Sequence, residues 1–197
     1  MLNQEDIGFY LSVFKELDLK DIYRLFYLAK TRGIAAGEIF IDEGDVYNKL
    51  AYIKKGLIRA YYLKPNGDEM TVLLRWENQF IASHDKIIYQ QPSRFIYHAL
   101  EDTVLMEIDY DKAQPILDSS PKLSATRHDF LLRMLAESMD RVESFILLSP
   151  EERYLQLVHE KPDIVNRVPN KYLATLLGIT PVSLSRIRKR IASPRKH

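Results

Sequence analysis

Cysteine is absent from the 197-residue chain, which excludes disulfides and any thiolate metal or iron–sulfur centre. No run reaches the roughly 18 apolar residues of a membrane span. The first residues, MLNQEDIGFY, lack the basic-then-apolar order of a signal peptide. A cytoplasmic protein without a membrane partner is therefore expected. Enzyme motifs are missing too: there is no Walker-type glycine loop, no His-Glu-x-x-His and no Ser/His/Asp arrangement. His84-Asp85 alone does not make a site, and no catalytic or metal-binding residue is assigned. Internal repeats and low-complexity tracts are also missing.

One further absence is positional. Asp163 is the last acidic residue. Residues 164–197 carry eight basic side chains (Arg167, Lys171, Arg186, Arg188, Lys189, Arg190, Arg195 and Lys196) against none acidic, so the overall net charge of +1 conceals a segment of +8 behind a body of −7. A chain polarised in this way has one end suited to a polyanion.

Within that basic end, residues 168–192 read as two short helices joined by a tight turn. Leu173, Leu177, Ile179, Leu184 and Ile187 are the apolar positions. Ala174 is small where the helices would cross, and Gly178 supplies a turn residue that accepts positive φ. Thr180 can cap the second helix, whose first turn suits Pro181. Hydroxyls and cations line the second helix beside its apolar stripe, as a helix entering a major groove requires. The competing interpretation is an ordinary helical hairpin with a solvated basic face. The candidate DNA contacts are Asn170, Lys171, Thr180, Pro181, Val182, Ser183, Ser185, Arg186, Lys189 and Arg190.

Earlier in the chain, residues 3–16 and 18–30 carry helical apolar stripes, with Asp18 a candidate cap for the second. From Gly33 to about Asp109 the pattern changes to short β-branched and aromatic runs: IRAYYL (58–63), TVLLRW (71–76), RFIYHAL (94–100) and VLMEI (104–108). Asn66-Gly67 between two of them is a strong hairpin signal. Such runs without intervening helices predict an antiparallel sandwich or barrel.

A short helix is expected over 111–117, and a long one from Pro121 to about Leu147. In the long helix Ala125, His128, Leu132, Leu135, Met139, Val142 and Ile146 step alternately by three and four. That is a heptad seam, with Leu132, Leu135, Met139, Val142 and Ile146 as the candidate homodimer interface. Phe130, Leu131 and Phe145 lie off the seam and could pack on the sandwich. Ser149-Pro150-Glu151-Glu152 reads as a capping box opening a further helix that Pro162 ends, which places a hinge at Leu148–Ser149.

Two helices, a jelly-roll-like sandwich, a long helix and a C-terminal helix-turn-helix, in that order, resemble the Crp/Fnr family of bacterial transcription regulators. The motifs that carry the resemblance are GEIFIDEGDVYNKLAYIKKGLIRAYY (37–62), ALEDTVLMEI (99–108) and LATLLGITPVSLSRIRKR (173–190). The fold it implies is α+β: an antiparallel β-roll of cyclic-nucleotide-binding type over 1–120, a dimerisation helix over 121–148 and a helix-turn-helix domain over 149–197. It implies a dimer on a pseudo-palindromic duplex, and brings RNA polymerase into view as a further partner. Thr180, Pro181, Val182, Ser183 and Arg186 fall at the base- and phosphate-contacting positions, with Arg186 matching an arginine that reaches guanine. Val182 departs from a frequent Glu and offers only an apolar contact. A β-hairpin wing beyond the recognition helix is expected to be absent or reduced.

The ligand position departs further. Where nucleotide-binding members carry Phe-Gly-Glu, this chain has Phe80-Ile81-Ala82, followed by Ser83. The resemblance gives the glutamate to the ribose and a later arginine to the cyclic phosphate. Ser93 falls in the arginine register and Arg94 one residue away, which on a strand is the opposite face. Phe80, Ala82, Ser83, Ser93 and Arg94 are the candidate ligand residues. The expectation is a regulator that keeps the roll without the cyclic AMP site, its effector unidentified and its cofactor none. Haem through His84 or His98 stays open, although structural histidines are commoner. A small-molecule or cyclic-nucleotide sensor module is the alternative function.

Overall fold

A computed structural model of the chain describes residues 19–192. The expected helix over 3–16 and the Asp18 cap lie outside the described residues. Helix α1 (Leu19–Leu28) leads into eight strands: β1 (Lys30–Ile34), β2 (Ile39–Ile41), β3 (Lys49–Lys55), β4 (Ile58–Leu63), β5 (Glu69–Arg75), β6 (Phe80–Ala82), β7 (Ile96–Ala99) and β8 (Thr103–Asp109), with a short helix α2 (His84–Tyr89) between β6 and β7. The strands form two four-stranded antiparallel sheets, ordered β1-β8-β3-β6 and β2-β7-β4-β5. Between the sheets lies an apolar core that includes Ile41, Ala51, Ile53, Ile58, Ala60, Tyr97 and Leu105.

The hairpin β4–β5 turns at the Asn66-Gly67 pair. Gly67 sits at φ +86°, and Lys64 N–H donates to the Asp68 carbonyl at 2.9 Å. Asn66 Oδ1 accepts from Asp68 N–H, so the asparagine fixes its own turn. The roll contains more strands than the four predicted. β1 and β3 are polar or lysine-flanked, and β2 and β6 have three residues each, too short to establish a period.

Helix α3 (Tyr110–Leu117) follows the roll, and helix α4 (Pro121–Leu147) begins with Pro121 in its first turn under a Ser120 cap. Leu123 is the only fully buried residue along the 27 residues of α4. Phe130 packs edge-on against Phe80 of β6 at 4.9 Å between ring centres. Leu131, by contrast, is half exposed and does not join the sandwich.

Helix α5 (Pro150–Glu160) opens with the predicted capping box. Glu152 N–H donates to Ser149 Oγ, and Ser149 N–H to Glu152 Oε2 at 2.8 Å. A four-residue helix α6 (Ile164–Arg167) then precedes α7 (Asn170–Leu176) and α8 (Pro181–Ala192).

These last helices do not close a core alone. Leu57 and Leu74 of the roll lie in one buried cluster with Tyr154, Ile164, Val168, Leu173, Ala174, Leu177, Leu184 and Ile187. Polar contacts fix the same junction. Thr175 Oγ1 lies 2.9 Å from Thr71 Oγ1 and accepts from Thr71 N–H. The buried Arg59 guanidinium lies 3.6 Å from the Tyr172 ring and donates to Thr71 and Glu69. Arg167 bonds to both oxygens of Glu77 and of Glu101, and reaches Asp163.

Burial alone would raise the Glu77 carboxyl, yet the bonds from Arg167 and from backbone N–H groups hold it below the usual carboxylate range. Asp163 is likewise held low against its own desolvation, by Lys161 and Arg167. A depressed carboxylate contributes stability at neutral pH that is lost as pH falls through its folded value. Melting temperature should therefore fall as pH drops below about 4, where free carboxylates begin to protonate. Arg167→Ala should melt lower at neutral pH and decline less over the acid range. Parallel curves for the two proteins would remove the clasp from the account.

Candidate nucleic-acid interface

The turn between α7 and α8 is built by its own backbone. Gly178 N–H donates to the Thr175 carbonyl at 3.1 Å, and Ile179 N–H to the Ala174 carbonyl at 2.9 Å, the paired bonds of a Schellman motif. Gly178 takes φ +72°, and a Cβ there would come within 3.0 Å of the Phe145 ring. Thr180 Oγ1 accepts from Ser183 N–H at 3.1 Å, capping α8, and Pro181 follows in the first turn.

Leu184 and Ile187 anchor α8 in the shared core, where they meet the fully buried Leu173 and Ala174. The opposite face carries Val182, Ser185, Arg186 and Lys189, all exposed, at the spacing of adjacent turns. Arg186 and Lys189 have no acidic partner among the described residues. Thr180 and Pro181 are exposed at the helix start, and Ser183 is half-buried beside the cap. Lys171 is exposed with its ammonium 4.6 Å from the Tyr172 ring. Two candidates are already engaged within the chain: Asn170 Oδ1 accepts from Arg188, and Arg190 pairs with Glu151.

Arg188 and Arg153 were missed from the sequence. Arg188 lies 5.5 Å from the Tyr154 ring, with Nε and Nη2 buried. Its position one turn after Leu184 was the available signal that it faces inward. Arg153 donates to the Leu148 carbonyl at 2.6 Å and the Leu177 carbonyl at 3.0 Å, and its guanidinium lies 4.5 Å from the Phe145 ring. It thus ties the end of α4 to the turn before α8, its charge serving carbonyls that a helix end leaves unpaired. Phe145 packs against this turn, not against the sandwich.

The seam residues Leu132, Leu135, Met139, Val142 and Ile146 are all exposed in the single chain, Ile146 at 75%. Leu147 is as open, and Met134 and Leu131 widen the apolar surface.

At the ligand position, Ile81 is buried in the roll core, and the Ala82 carbonyl accepts from Tyr97 Oη at 3.1 Å. Phe80 packs between Tyr52, tilted, and Phe130, edge-on, and Ser83 is buried. Ser93 is turned inward, its hydroxyl donating to the Phe95 carbonyl at 2.7 Å. Residues 90–95 precede β7, so strand alternation does not govern Ser93 and Arg94. Arg94 instead grips Asp85, a residue not singled out from the sequence. Nothing here offers a ribose acceptor, and the exposed Arg94 guanidinium is already paired with Asp85, so the residues do not fit a cyclic nucleotide. Burial lowers the affinity of His84 and His98 for a proton. No metal-ligating cluster occurs among the described residues, and none of their helices is long and apolar enough to cross a membrane.

Residues 31–120 match the family model described as cyclic nucleotide-binding domain. The anaerobic regulatory protein of Haemophilus influenzae is 26% identical over 135 residues, 67% of this chain and 51% of that protein. The chain thus spans about half the length of the curated relatives it matches. A putative transcriptional regulator of the Crp/Fnr family from Eubacterium rectale has the same fold, with TM-score 0.68 at 18% identity over 92% of this chain and 87% of that one. A c-di-GMP-responsive global regulator from Xanthomonas campestris gives 0.66 at 18% over 88% and 91%. The roll is therefore a cyclic-nucleotide-binding-type domain. With the long helix and the helix-turn-helix after it, the chain has the fold of the Crp/Fnr regulator from Eubacterium rectale.

Gly178→Ala should destabilise the protein by about 1–2 kcal/mol, the cost of a left-handed conformation for an L-residue, with the Phe145 contact added. Thermal denaturation measures this, and an unchanged melting temperature would mean the turn relaxes freely.

Proposed function

We propose that the chain is a dimeric, sequence-specific DNA-binding transcription regulator of the cytoplasm, without enzymatic activity. The observation that carries this is the α8 face of Val182, Ser185, Arg186 and Lys189, exposed and with no acidic partner among the described residues, while the other side of the helix is anchored. Residues 1–120 serve as sensor or scaffold, 121–148 pair two copies, and 149–197 read DNA. The exposed seam Leu132, Leu135, Met139, Val142 and Ile146 supplies the pairing surface, since apolar heptads of this length are unfavourable in water. A two-fold dimer presents its recognition helices about 34 Å apart on a pseudo-palindromic site. RNA polymerase is a further partner of such a regulator. Binding should weaken steeply with salt, because a +8 segment meets phosphates.

The roll does not answer to cyclic AMP in this proposal. A second possibility, a small-molecule sensor module, is favoured by the family match over 31–120. Titrations with labelled cyclic AMP and with duplex DNA separate the two.

Selecting bound sequences from a random duplex pool tests the function directly. A palindromic consensus is expected, and no enrichment would refute it. On that consensus, Arg186→Ala should cost about 1–3 kcal/mol and relax one base pair per half-site. A uniform loss on all sequences would make Arg186 a phosphate contact.

Replacing Leu135 and Val142 together by Asp would bury like charges across the seam, at a cost of several kcal/mol. The double variant should sediment as a monomer and lose tight DNA binding. A variant that stays dimeric would show that the copies pair elsewhere.

A further inference from the structure

We infer that Asp85 is a built-in anion: its carboxylate takes the oxyanion place offered by the Arg94 N–H and guanidinium, satisfies Arg94 and disfavours phosphate-bearing ligands there. The inference deepens the proposal that the roll is independent of cyclic AMP and rests on it.

Asp85 sits in the first turn of α2 and is 1% exposed. Its Oδ2 accepts the main-chain N–H of Arg94 at 2.8 Å. Its Oδ1 accepts Nε at 3.1 Å and Nη2 at 2.7 Å from the same residue. A backbone N–H beside a guanidinium fork is a donor set suited to an oxyanion, whether carboxylate or phosphate. Here the chain supplies the oxyanion from nine residues away. The Asp85 carbonyl also accepts from Gln91 N–H at 3.1 Å, so both ends of this residue hold the loop 90–95 against α2. Ser83, two residues earlier, is buried with its Oγ lacking a hydrogen-bond partner.

A buried carboxylate is tolerable only when paired. Desolvation would raise the Asp85 carboxyl, but the bonds from Arg94 hold it below its usual range, so it is ionised at neutral pH. Two consequences follow. The Arg94 side chain is 64% exposed, but its guanidinium already carries two bonds to the buried Asp85 carboxylate, so a phosphate bound there would share the cation with a fixed negative charge. The pair is thus neutral as a unit and gives an anion less than a free guanidinium would. The same residue also holds the loop 90–95 against α2.

The test uses the full chain and two probes, inorganic phosphate and cyclic AMP, with chloride at matched ionic strength as the reference. For the wild-type protein, phosphate and chloride should give the same melting temperature, and cyclic AMP should give no saturable heat. Asp85→Ala should melt several degrees lower and regain much of that loss in phosphate but not in chloride. Asp85→Asn keeps an acceptor for the Arg94 N–H and loses the charge. It should show the same phosphate response and serves if the alanine variant does not fold. Asp85→Ala combined with Arg94→Ala should gain nothing from phosphate beyond what the wild type gains, which removes general salting effects.

Absence of a phosphate response in both Asp85 variants, or an equal response in the double variant, overturns the built-in anion while leaving cyclic AMP independence intact. Saturable cyclic AMP heat in the wild type that Arg94→Ala abolishes overturns the independence itself, and the inference with it.

Discussion

The fold of the C-terminal helices depends on apolar surface lent by the β-roll. Leu57 and Leu74 are 0% and 4% exposed, and what covers them is the helical cluster of Tyr154, Ile164, Leu173 and Leu184. A helical unit of some fifty residues buries too small a fraction of its surface to be robust alone, and the roll supplies the missing wall. Arg59 shows how tightly the wall is fitted. Its guanidinium is fully buried between the rings of Tyr61 and Tyr172, at 4.2 and 3.6 Å, with Nη2 left without a hydrogen bond. An unmet donor costs about 1–3 kcal/mol, which the two ring faces and the Glu69 and Thr71 bonds offset. The Arg167 clasp closes the same junction at its edge. The break between α4 and α5 at Leu148 is therefore spanned by contacts.

Much of this was legible locally. Gly178, Thr180 and Pro181 specify a turn and a cap within a few residues, and the structure forms both. The Ser149 capping box and the Asn66-Gly67 hairpin were visible for the same reason, since each motif satisfies its own backbone groups. IRAYYL was readable as a strand but not as a two-faced one. Four successive residues from Ile58 to Tyr61 are buried because the roll core covers one side and the C-terminal helices cover the other.

Pairings across long stretches of sequence were not legible. Arg186 and Arg188 are alike in composition, and only the position of Tyr154 and Asn170 in space turns one inward. Asp85 and Arg94 lie nine residues apart across a loop that no period governs. The ligand position was approached by counting along an assumed strand, and the strand starts two residues too late for that count to hold. The roll thus keeps the architecture of a cyclic-nucleotide-binding domain while Ile81, Ala82 and the Asp85–Arg94 pair stand at the ligand position, a separation of fold from site that many domains show.

The Phe145 ring rests on the Gly178 turn between the guanidiniums of Arg141 and Arg153, one residue before Ile146 of the apolar seam. A heptad seam drifts about 20° per heptad on a straight helix, so two paired helices underwind to keep it in contact. In the proposed dimer, over the length of α4 that coiling would turn the last helical turn with respect to the first. Phe145 would transmit the torsion as a cam, pressing on a glycine that has no side chain to yield. The pitch at which two α4 helices wind together would then set the angle at which each α8 is offered to a groove.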